Sequence, residues 1–307
     1  MRKSFVDTMI ECAREDENVV LLMAEVGFSV VEPFEKEFPN RFFNTGIAEQ
    51  NLVLTAAGMA LKGLRPVAYS MSAFLDSRAF EQIKVSVAYQ NLPVVLISVG
   101  SGLSYGEMGS THHAIEESAI MRSLPNLNVV FPSNAVELRG ALKKALSDNK
   151  PYYISYPKAM APETKEYPFE PGKAVCHREG KDGSILAFGF SVNDAIAASD
   201  ILKDKGLNIG VYGFHTVKPL DREAICKAAA TGNIFVVDEH NYSAGMGGET
   251  ARILLENKIK IDNFVDISVP DCFQDVVARY AEMKEMYSLD AKGIAEKIEK
   301  SLGNKKS

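Results

Sequence analysis

Cysteine and histidine, the side chains that most often build metal and redox sites, are scarce in this sequence. The 307 residues include five histidines and four cysteines. No CxxC pair and no Cys/His pair stands at metal-ligand spacing, so we expect free, mostly buried thiols and no metal ligands from this chain. The four cysteines are Cys12, Cys176, Cys226 and Cys272.

An excess of basic residues and a long apolar run are also missing. Lysine and arginine number 34 against 40 acidic residues, and the formal net charge is -6, which disfavours a nucleic-acid-binding protein. No run reaches the ~18 apolar residues of a membrane-spanning helix. The N-terminal stretch MRKSFVDTMIECARED lacks the apolar core of a signal peptide. We therefore expect a cytoplasmic protein without a membrane partner.

What the sequence does contain is a regular alternation of short apolar runs and amphipathic stretches. NVVLLM, PVAYSM and PVVLISV have the length of buried strands. A helix over 75–89 would place Phe80, Ile83 and Val87 on one face. The alternation predicts an α/β fold with parallel sheets and helices on both faces.

A stretch rich in proline, glycine and charge, 156–183, separates two halves of this alternation. The length also suits two domains rather than one. We predict two three-layer α/β/α domains, 1–160 and 181–307, joined by a linker over 161–180.

Glu49 is the most unusual residue of the first half. It stands in RFFNTGIAEQ, where a loop leads into a predicted helix over 48–61. Desolvation penalises the charged form of a carboxylate, so a Glu between small and apolar neighbours is suited to hold or share a proton. The alternative is a helix acid that stabilises only the first turn.

A glycine-rich loop, GSGLSYGEMGSTHH over 100–113, follows the clearest buried strand. Loops after parallel strands gather at one edge of the sheet. We expect this loop and Glu49 to meet there. A histidine in such a loop titrates near neutral pH, which makes His112 a candidate for proton transfer.

Several stretches together resemble the transketolase family. They include RFFNTGIAEQNLVLTAAGMALKGLRPVAY, SRAFEQIKVSVAYQNLPVVLI, GLSYGEMGSTHHAIEESAIMRS, TVKPLD and VVDEH with SAGMGGE, in the family's order and spacing. The resemblance implies a thiamine-diphosphate-binding (pyrimidine) fold followed by a transketolase C-terminal-like domain. It also implies transfer of a two-carbon ketol unit from a ketose to an aldose, with thiamine diphosphate and Mg2+ as cofactors.

The same resemblance implies roles for individual residues. Glu49 would be the acid that activates the cofactor's aminopyrimidine, and His112 would act on the substrate. The other residues implied at the cofactor are Ile47, Phe74 and Arg78, and those implied at the substrate are Gly100, Met108 and Lys158.

Three of these positions depart from the family pattern. Gly100 stands where the family has a histidine, Met108 where it has an aspartate, and Lys158 is the only cation near the place of the phosphate-binding arginine. The departures put ordinary sugar-phosphate recognition in doubt. They leave room for a ketose with a different terminal group.

The GDG motif that holds the diphosphate and metal in this family is absent; Lys181-Asp182-Gly183 is the nearest match. The chain therefore resembles the C-terminal subunit of a split transketolase. An N-terminal subunit would supply the diphosphate and metal site. Self-association as a dimer would then give a heterotetramer.

Other interpretations stay open at this point. The chain also resembles deoxyxylulose-phosphate synthases in YQNLPVV and VKPLD, and 2-oxo acid dehydrogenase beta subunits in layout and length. The Thr-His pair of the loop favours transketolase over those dehydrogenase subunits. A non-catalytic structural or regulatory subunit is a third possibility, against which Glu49, Phe74 and His112 argue.

Overall fold

The computed structural model describes residues 1–160 and 167–303. The first domain consists of α1 (Arg2–Glu15), β1 (Val19–Met23), α2 (Glu32–Glu37), β2 (Phe42–Asn44), α3 (Glu49–Leu61), β3 (Arg65–Met71), α4 (Ser72–Arg78), α5 (Phe80–Gln82), β4 (Val95–Val99), α6 (Glu117–Arg122), β5 (Asn128–Val130), α7 (Ala135–Ser147) and β6 (Tyr152–Tyr156).

The second domain continues the alternation of strands and helices. It consists of β7 (Val175–Arg178), β8 (Gly183–Phe188), α8 (Val192–Asp204), β9 (Ile209–Phe214), β10 (Thr216–Lys218), α9 (Arg222–Ala228), β11 (Asn233–Asn241), α10 (Gly247–Glu256), β12 (Asn263–Val269), α11 (Tyr280–Tyr287) and α12 (Ala291–Gly303).

The first sheet has the strand order β10-β5-β6-β4-β3-β1-β2, and all pairs except β10 with β5 are parallel. Strands β1, β4 and β6 are buried along their whole length, as expected for strands covered on both faces. The segments that follow β2, β3, β4 and β6 meet at the carboxyl edge of this sheet. That edge carries the predicted site residues.

The second sheet has the order β12-β11-β8-β9-β7, with β7 antiparallel at its edge. Strand β7 lies at 175–178, inside the stretch predicted as linker; residues 161–166 of that stretch are outside the described residues. Strand β10 follows β9 but pairs with β5 of the first sheet. The two domains therefore share a sheet edge, which the sequence pattern did not indicate.

Three apolar cores fill the layers. One core packs α1 and α7 on the outer face of the first sheet, and another packs α8 and α12 on the outer face of the second. The third lies between the sheets and contains residues of both domains, among them Phe131, Phe188 and Phe214. The prediction of two three-layer α/β/α domains is confirmed.

Some predicted elements differ in detail. The predicted helix over 75–89 is divided into α4, α5 and a π-helical segment, Ile83–Ala88. Helix α4 begins at the sheet edge directly after β3 and ends at a break at Ala79 (φ -103°, ψ 15°), beyond which Ile83 and Val87 lie in the core.

The stretch 25–40 carries Pro33, Pro39 and several charges, which predicts a loop with one helical turn, and the structure forms helix α2 there. Pro33 lies in its first turn, where the missing N–H has no helical partner to lose. Strand β2 and helix α11 were not predicted either. In the part of the chain that the structure describes, no helix is long and apolar enough to cross a membrane.

Candidate active site

The turn between β2 and α3 carries Glu49 to the carboxyl edge of the first sheet. The Thr45 amide donates to the Met23 carbonyl (2.9 Å), and Gly46 has a φ of 72°, which glycine adopts without strain. Glu49 is the first residue of α3 and is only 1% exposed. Its carboxylate therefore lies at the positive end of the helix dipole, which stabilises a negative charge.

Glu49 forms an ion pair with Arg78 of α4. Arg78 Nη1 lies 2.7 Å from Glu49 Oε2. A buried carboxylate is costly without such a partner. The Arg78 side chain is half exposed whereas that of Glu49 is buried, so the acid is fixed and the cation has room to move.

An aromatic line continues from this ion pair towards the glycine-rich loop. Arg78 Cζ lies 5.0 Å from the centroid of the half-buried Phe74 ring. The His112 ring meets Phe74 edge-on, with centroids 5.2 Å apart, and Tyr105 lies beyond it at 6.4 Å. The structure thus brings Glu49, Arg78, Phe74 and His112 together, and adds Tyr105.

Glycine is required at position 100 because the Tyr105 ring fills the space beside it. The φ of 110° at Gly100 is one that side chains rarely adopt, and a Cβ at this position would clash with the Tyr105 ring. Lys158 Nζ lies 5.4 Å from the centroid of the same ring, and the Lys158 amide donates to Ser104 Oγ (3.3 Å). Gly100, Tyr105 and Lys158 therefore form one wall beside His112.

Two predicted site residues lie apart from this line. Ile47 is 76% exposed in the turn before α3, and Met108 is 52% exposed in the 3-10 turn Gly106–Met108. In this chain alone, both side chains face solvent.

The two adjacent histidines differ in environment. His112 is half-buried, and its Nδ1 lies 2.9 Å from Thr111 Oγ1. His113 is buried, and neither of its ring nitrogens has a hydrogen-bond partner. Burial and, next, the neighbouring His112 lower the pKa of His113, so it is neutral.

Glu117, which sequence reasoning passed over, accepts hydrogen bonds beneath the loop. It is fully buried at the start of α6. Its Oε1 accepts from Ser101 Oγ (2.5 Å), and its Oε2 accepts from Tyr153 Oη (2.6 Å) and Ser155 Oγ (2.7 Å). A buried carboxylate is stable there because its oxygens are satisfied by these donors.

A second buried acid, Asp76 of α4, has a pKa that is shifted by its burial and by Glu117. Burial and, next, the Glu117 carboxylate raise the pKa of Asp76 to about 8. At neutral pH we therefore assign a proton to Asp76. Helix α4 thus carries a neutral acid between Phe74 and Arg78.

Two family models match this amino-acid sequence and together cover most of the chain. The profile described as "Transketolase, pyrimidine binding domain" matches residues 1–164, and "Transketolase, C-terminal domain" matches 172–294. The chain belongs to the transketolase family.

Similar proteins include both single subunits and a longer enzyme. One subunit of the apulose-4-phosphate transketolase of Phocaeicola vulgatus is 36% identical, over 95% of this chain and 94% of that protein. "1-deoxy-D-xylulose-5-phosphate synthase 1" of Geobacter sulfurreducens is 35% identical, over 98% of this chain but 48% of that protein. A solved structure described as "Split gene transketolase, inactive beta4 tetramer" has a TM-score of 0.89 and 34% identity, covering 98% of each chain.

The residues that sequence reasoning missed are Tyr105, Glu117, Asp238 and His240. Tyr105 stands within the glycine-rich loop, and Glu117 follows GSTHHAIE, so their proximity to the motif was a usable signal. Asp238 and His240 lie more than a hundred residues further along the chain. Only the packing of the domains brings them to Glu117.

Proposed function

We propose that this chain is a subunit of a thiamine-diphosphate-dependent transketolase, which transfers a two-carbon ketol unit from a ketose to an aldose. The observation that carries the proposal is the unbroken line from buried Glu49 through Arg78 and Phe74 to His112. At one end of this line stands a carboxylate suited to hydrogen-bond a ring nitrogen of the cofactor. At the other end stands an imidazole suited to exchange a proton with a substrate hydroxyl.

The residues present fit the aminopyrimidine half of the cofactor. Phe74 offers a half-exposed aromatic face within reach of a buried acid, and Ile47 offers an exposed apolar side chain. When bound, thiamine diphosphate supplies a nucleophilic carbon and an electron sink. We therefore assign Glu49, Phe74, Arg78 and Ile47 to cofactor binding.

Glu49 would hold a proton against a ring nitrogen of the cofactor. In this structure its carboxylate is engaged by Arg78. Because the Arg78 side chain is half in solvent, it can turn aside or remain at the rim of the pocket while Glu49 stays in place. Arg78 would then keep the charge balanced when Glu49 gives up its proton.

His112 would move protons at the carbonyl and hydroxyl oxygens of the sugar. Its ring contacts Phe74 on one side and lies near Tyr105, and it is half-buried, so one part of it is open to a bound sugar. Gly100, Met108 and Lys158 would complete the substrate side. The Lys158 ammonium is the group that we assign to an anionic terminal group of the sugar.

The diphosphate and Mg2+ would be held by a separate subunit. Among residues 1–160 and 167–303, no group of three or more His, Cys, Asp or Glu side chains is arranged to hold a metal ion. A similar protein is named as one subunit of a transketolase, and a similar solved chain forms a tetramer described as inactive. We infer an N-terminal transketolase subunit as partner and a heterotetramer as the assembly.

A reconstitution experiment tests the proposal. The chain is mixed with a transketolase N-terminal subunit, thiamine diphosphate and Mg2+, and two-carbon transfer between a ketose and an aldose is measured. We expect turnover by the mixture and none by the chain alone. Full activity of the chain alone, or a mixture that binds the cofactor without any transfer, would contradict the proposal.

A second candidate is a synthase reaction of the 1-deoxy-D-xylulose-5-phosphate type. It is supported by the 35% identity to half of such an enzyme. Supplying pyruvate and an aldehyde to the same mixture separates the two. Carbon dioxide release without ketol transfer would favour the synthase.

A further inference from the structure

The loop that carries His112 rests on the second domain along its length. We call residues 100–113 the substrate loop. The Asn241 amide donates to the Ile115 carbonyl just after the loop (2.8 Å), and the Ala278 amide donates to the Gly106 carbonyl (3.3 Å). Ser110 Oγ donates to the Gln274 carbonyl. The segment before α11 therefore holds the far half of the loop, and the end of β11 holds the chain just beyond it.

Two glycines in this loop allow the second domain to approach the loop backbone closely. A Cβ at Gly102 would lie 3.0 Å from the Glu239 Cβ, and one at Gly106 would lie 2.5 Å from the Ala278 carbonyl oxygen. The loop backbone is thus packed against the second domain, with no room for a side chain at Gly106 and a tight fit at Gly102, whose φ of 59° also favours glycine.

The near half of the loop is held through Glu117. Glu117 Oε1 accepts from Ser101 Oγ and from the Gly102 amide (3.3 Å), so one carboxylate fixes two adjacent loop residues. His240 Nε2 lies 3.4 Å from the same oxygen. The contact joins α6 of the first domain to β11 of the second.

His240 is in turn held by Asp238. Asp238 Oδ1 lies 2.5 Å from His240 Nδ1, and Asp238 Oδ2 accepts from the Met246 amide (2.9 Å). Both side chains are buried. Burial alone would lower the pKa of His240, but Asp238 and Glu117 together raise it to about 10. A charged imidazole therefore lies between two carboxylates at the domain boundary.

We propose that Asp238, His240 and Glu117 are positioning residues that let the second domain set the conformation of the substrate loop. Through Ser101 and Gly102 they fix the segment that places Tyr105 and His112 beside Phe74. The effect on turnover rests on the proposed function; the effect on the loop does not.

Amide hydrogen exchange on the full chain tests the loop directly. His240→Gln keeps a donor towards Glu117 but removes the charge, and Ser101→Ala removes one loop contact with little disturbance of the fold. We expect exchange at loop amides to rise about tenfold in each variant, because hydrogen bonds to a charged group are the strong ones. Exchange in α1 and β1 should stay unchanged.

A matched control is His215→Gln. His215 is also a buried histidine of the second domain, and it contacts Thr216 and Phe169 instead of the loop. Loop exchange that stays within about twofold of the unmodified chain in His240→Gln and Ser101→Ala would overturn the proposal. So would an equal rise in His215→Gln.

Kinetics of the reconstituted complex supply the second readout. We expect His240→Gln to lower kcat about tenfold and to leave the Kd for thiamine diphosphate unchanged, since Glu49 and Phe74 are held by α3 and α4. A change in cofactor Kd with kcat preserved would overturn the proposal. Absence of transfer in the unmodified complex would refute the proposed function, while hydrogen exchange would still decide this inference.

Discussion

The two ends of the candidate site are held in different ways. The cofactor end, formed by Glu49, Arg78 and Phe74, belongs wholly to α3 and α4 of the first domain. The substrate loop, 100–113, is held instead by Glu117 beneath it and by second-domain segments beside it.

Because of this difference, the geometry of each end of the site depends on a different part of the fold. At the cofactor end, Glu49 is held by the core that supports α3, whose inner face is buried. The loop has little core of its own, so its geometry follows the packing of the two domains. Cofactor activation and substrate handling should therefore respond to different mutations.

Glu49→Gln should give the largest effect. The amide keeps the size of the side chain but cannot hold the proton, so we expect activity of the reconstituted enzyme to fall about 100-fold or more. The substitution also removes the charge that pairs with Arg78. Glu35→Gln, on the exposed face of α2, is the control and should retain full activity. Retained activity in Glu49→Gln would show that Glu49 does not activate the cofactor, and the contrast between the two ends of the site would then fail.

His112→Asn should have the next largest effect and should act on the other end. We expect kcat to fall about 10–100-fold because proton transfer at the sugar is lost. Binding of thiamine diphosphate, measured by titration, should stay unchanged. If the cofactor Kd weakened as much as kcat, the two ends would not be separable.

Lys158→Met should have a smaller effect, confined to charged substrates. One exposed ammonium contributes modestly, so we expect KM for a sugar with an anionic end to rise about three- to tenfold. KM for an uncharged sugar should not change. Lys62→Met at the end of α3 is the matched surface control. Phosphate-ended and sulfonate-ended sugars tested side by side would show which group the site prefers.

Asp76→Asn should have the smallest effect on turnover but a clear effect on stability. The Asp76 pKa is raised in the folded chain from its ordinary value of 3.8 to about 8. Its proton therefore stabilises the fold at low pH, and that contribution is lost as the pH rises from about 4 to about 8. Asn does not titrate, so the free energy of unfolding of the variant should exceed that of the unmodified chain increasingly over this range.

Urea unfolding of both proteins at about pH 5, 6.5 and 8 measures this difference. A constant difference across the three values would mean that Asp76 is already ionised.

Local pattern was enough for much of the fold. Apolar runs such as PVVLISV became buried strands, and the helix start at Glu49 lies within one residue of its predicted place. The break at Ala79 and the antiparallel strands β7 and β10 were not predictable in this way. Each depends on what the segment packs against, and short edge strands carry little periodic signal.

The candidate site was predicted only where residues lie close to a motif. Glu49, Phe74, Arg78 and His112 stand in stretches whose order along the chain is itself informative. The need for glycine at position 100 was not predictable from the sequence. A side chain there would clash with Tyr105, five residues away, only because the loop folds back on itself.

By itself the sequence determined the two α/β domains and the family, since strand length, helix starts and motif order are local properties. The residues of the cofactor end are a prediction from the motifs in which they stand. Only the tertiary structure decided that Arg78 pairs with Glu49, that Tyr105 takes the space beside Gly100, and that His240 reaches Glu117. The two charge contacts join residues far apart in the chain, and the Tyr105 contact forms only when the loop folds back on itself. The charge contacts exist because burial makes an unpaired charge too costly, and folding selects the arrangement that pairs it.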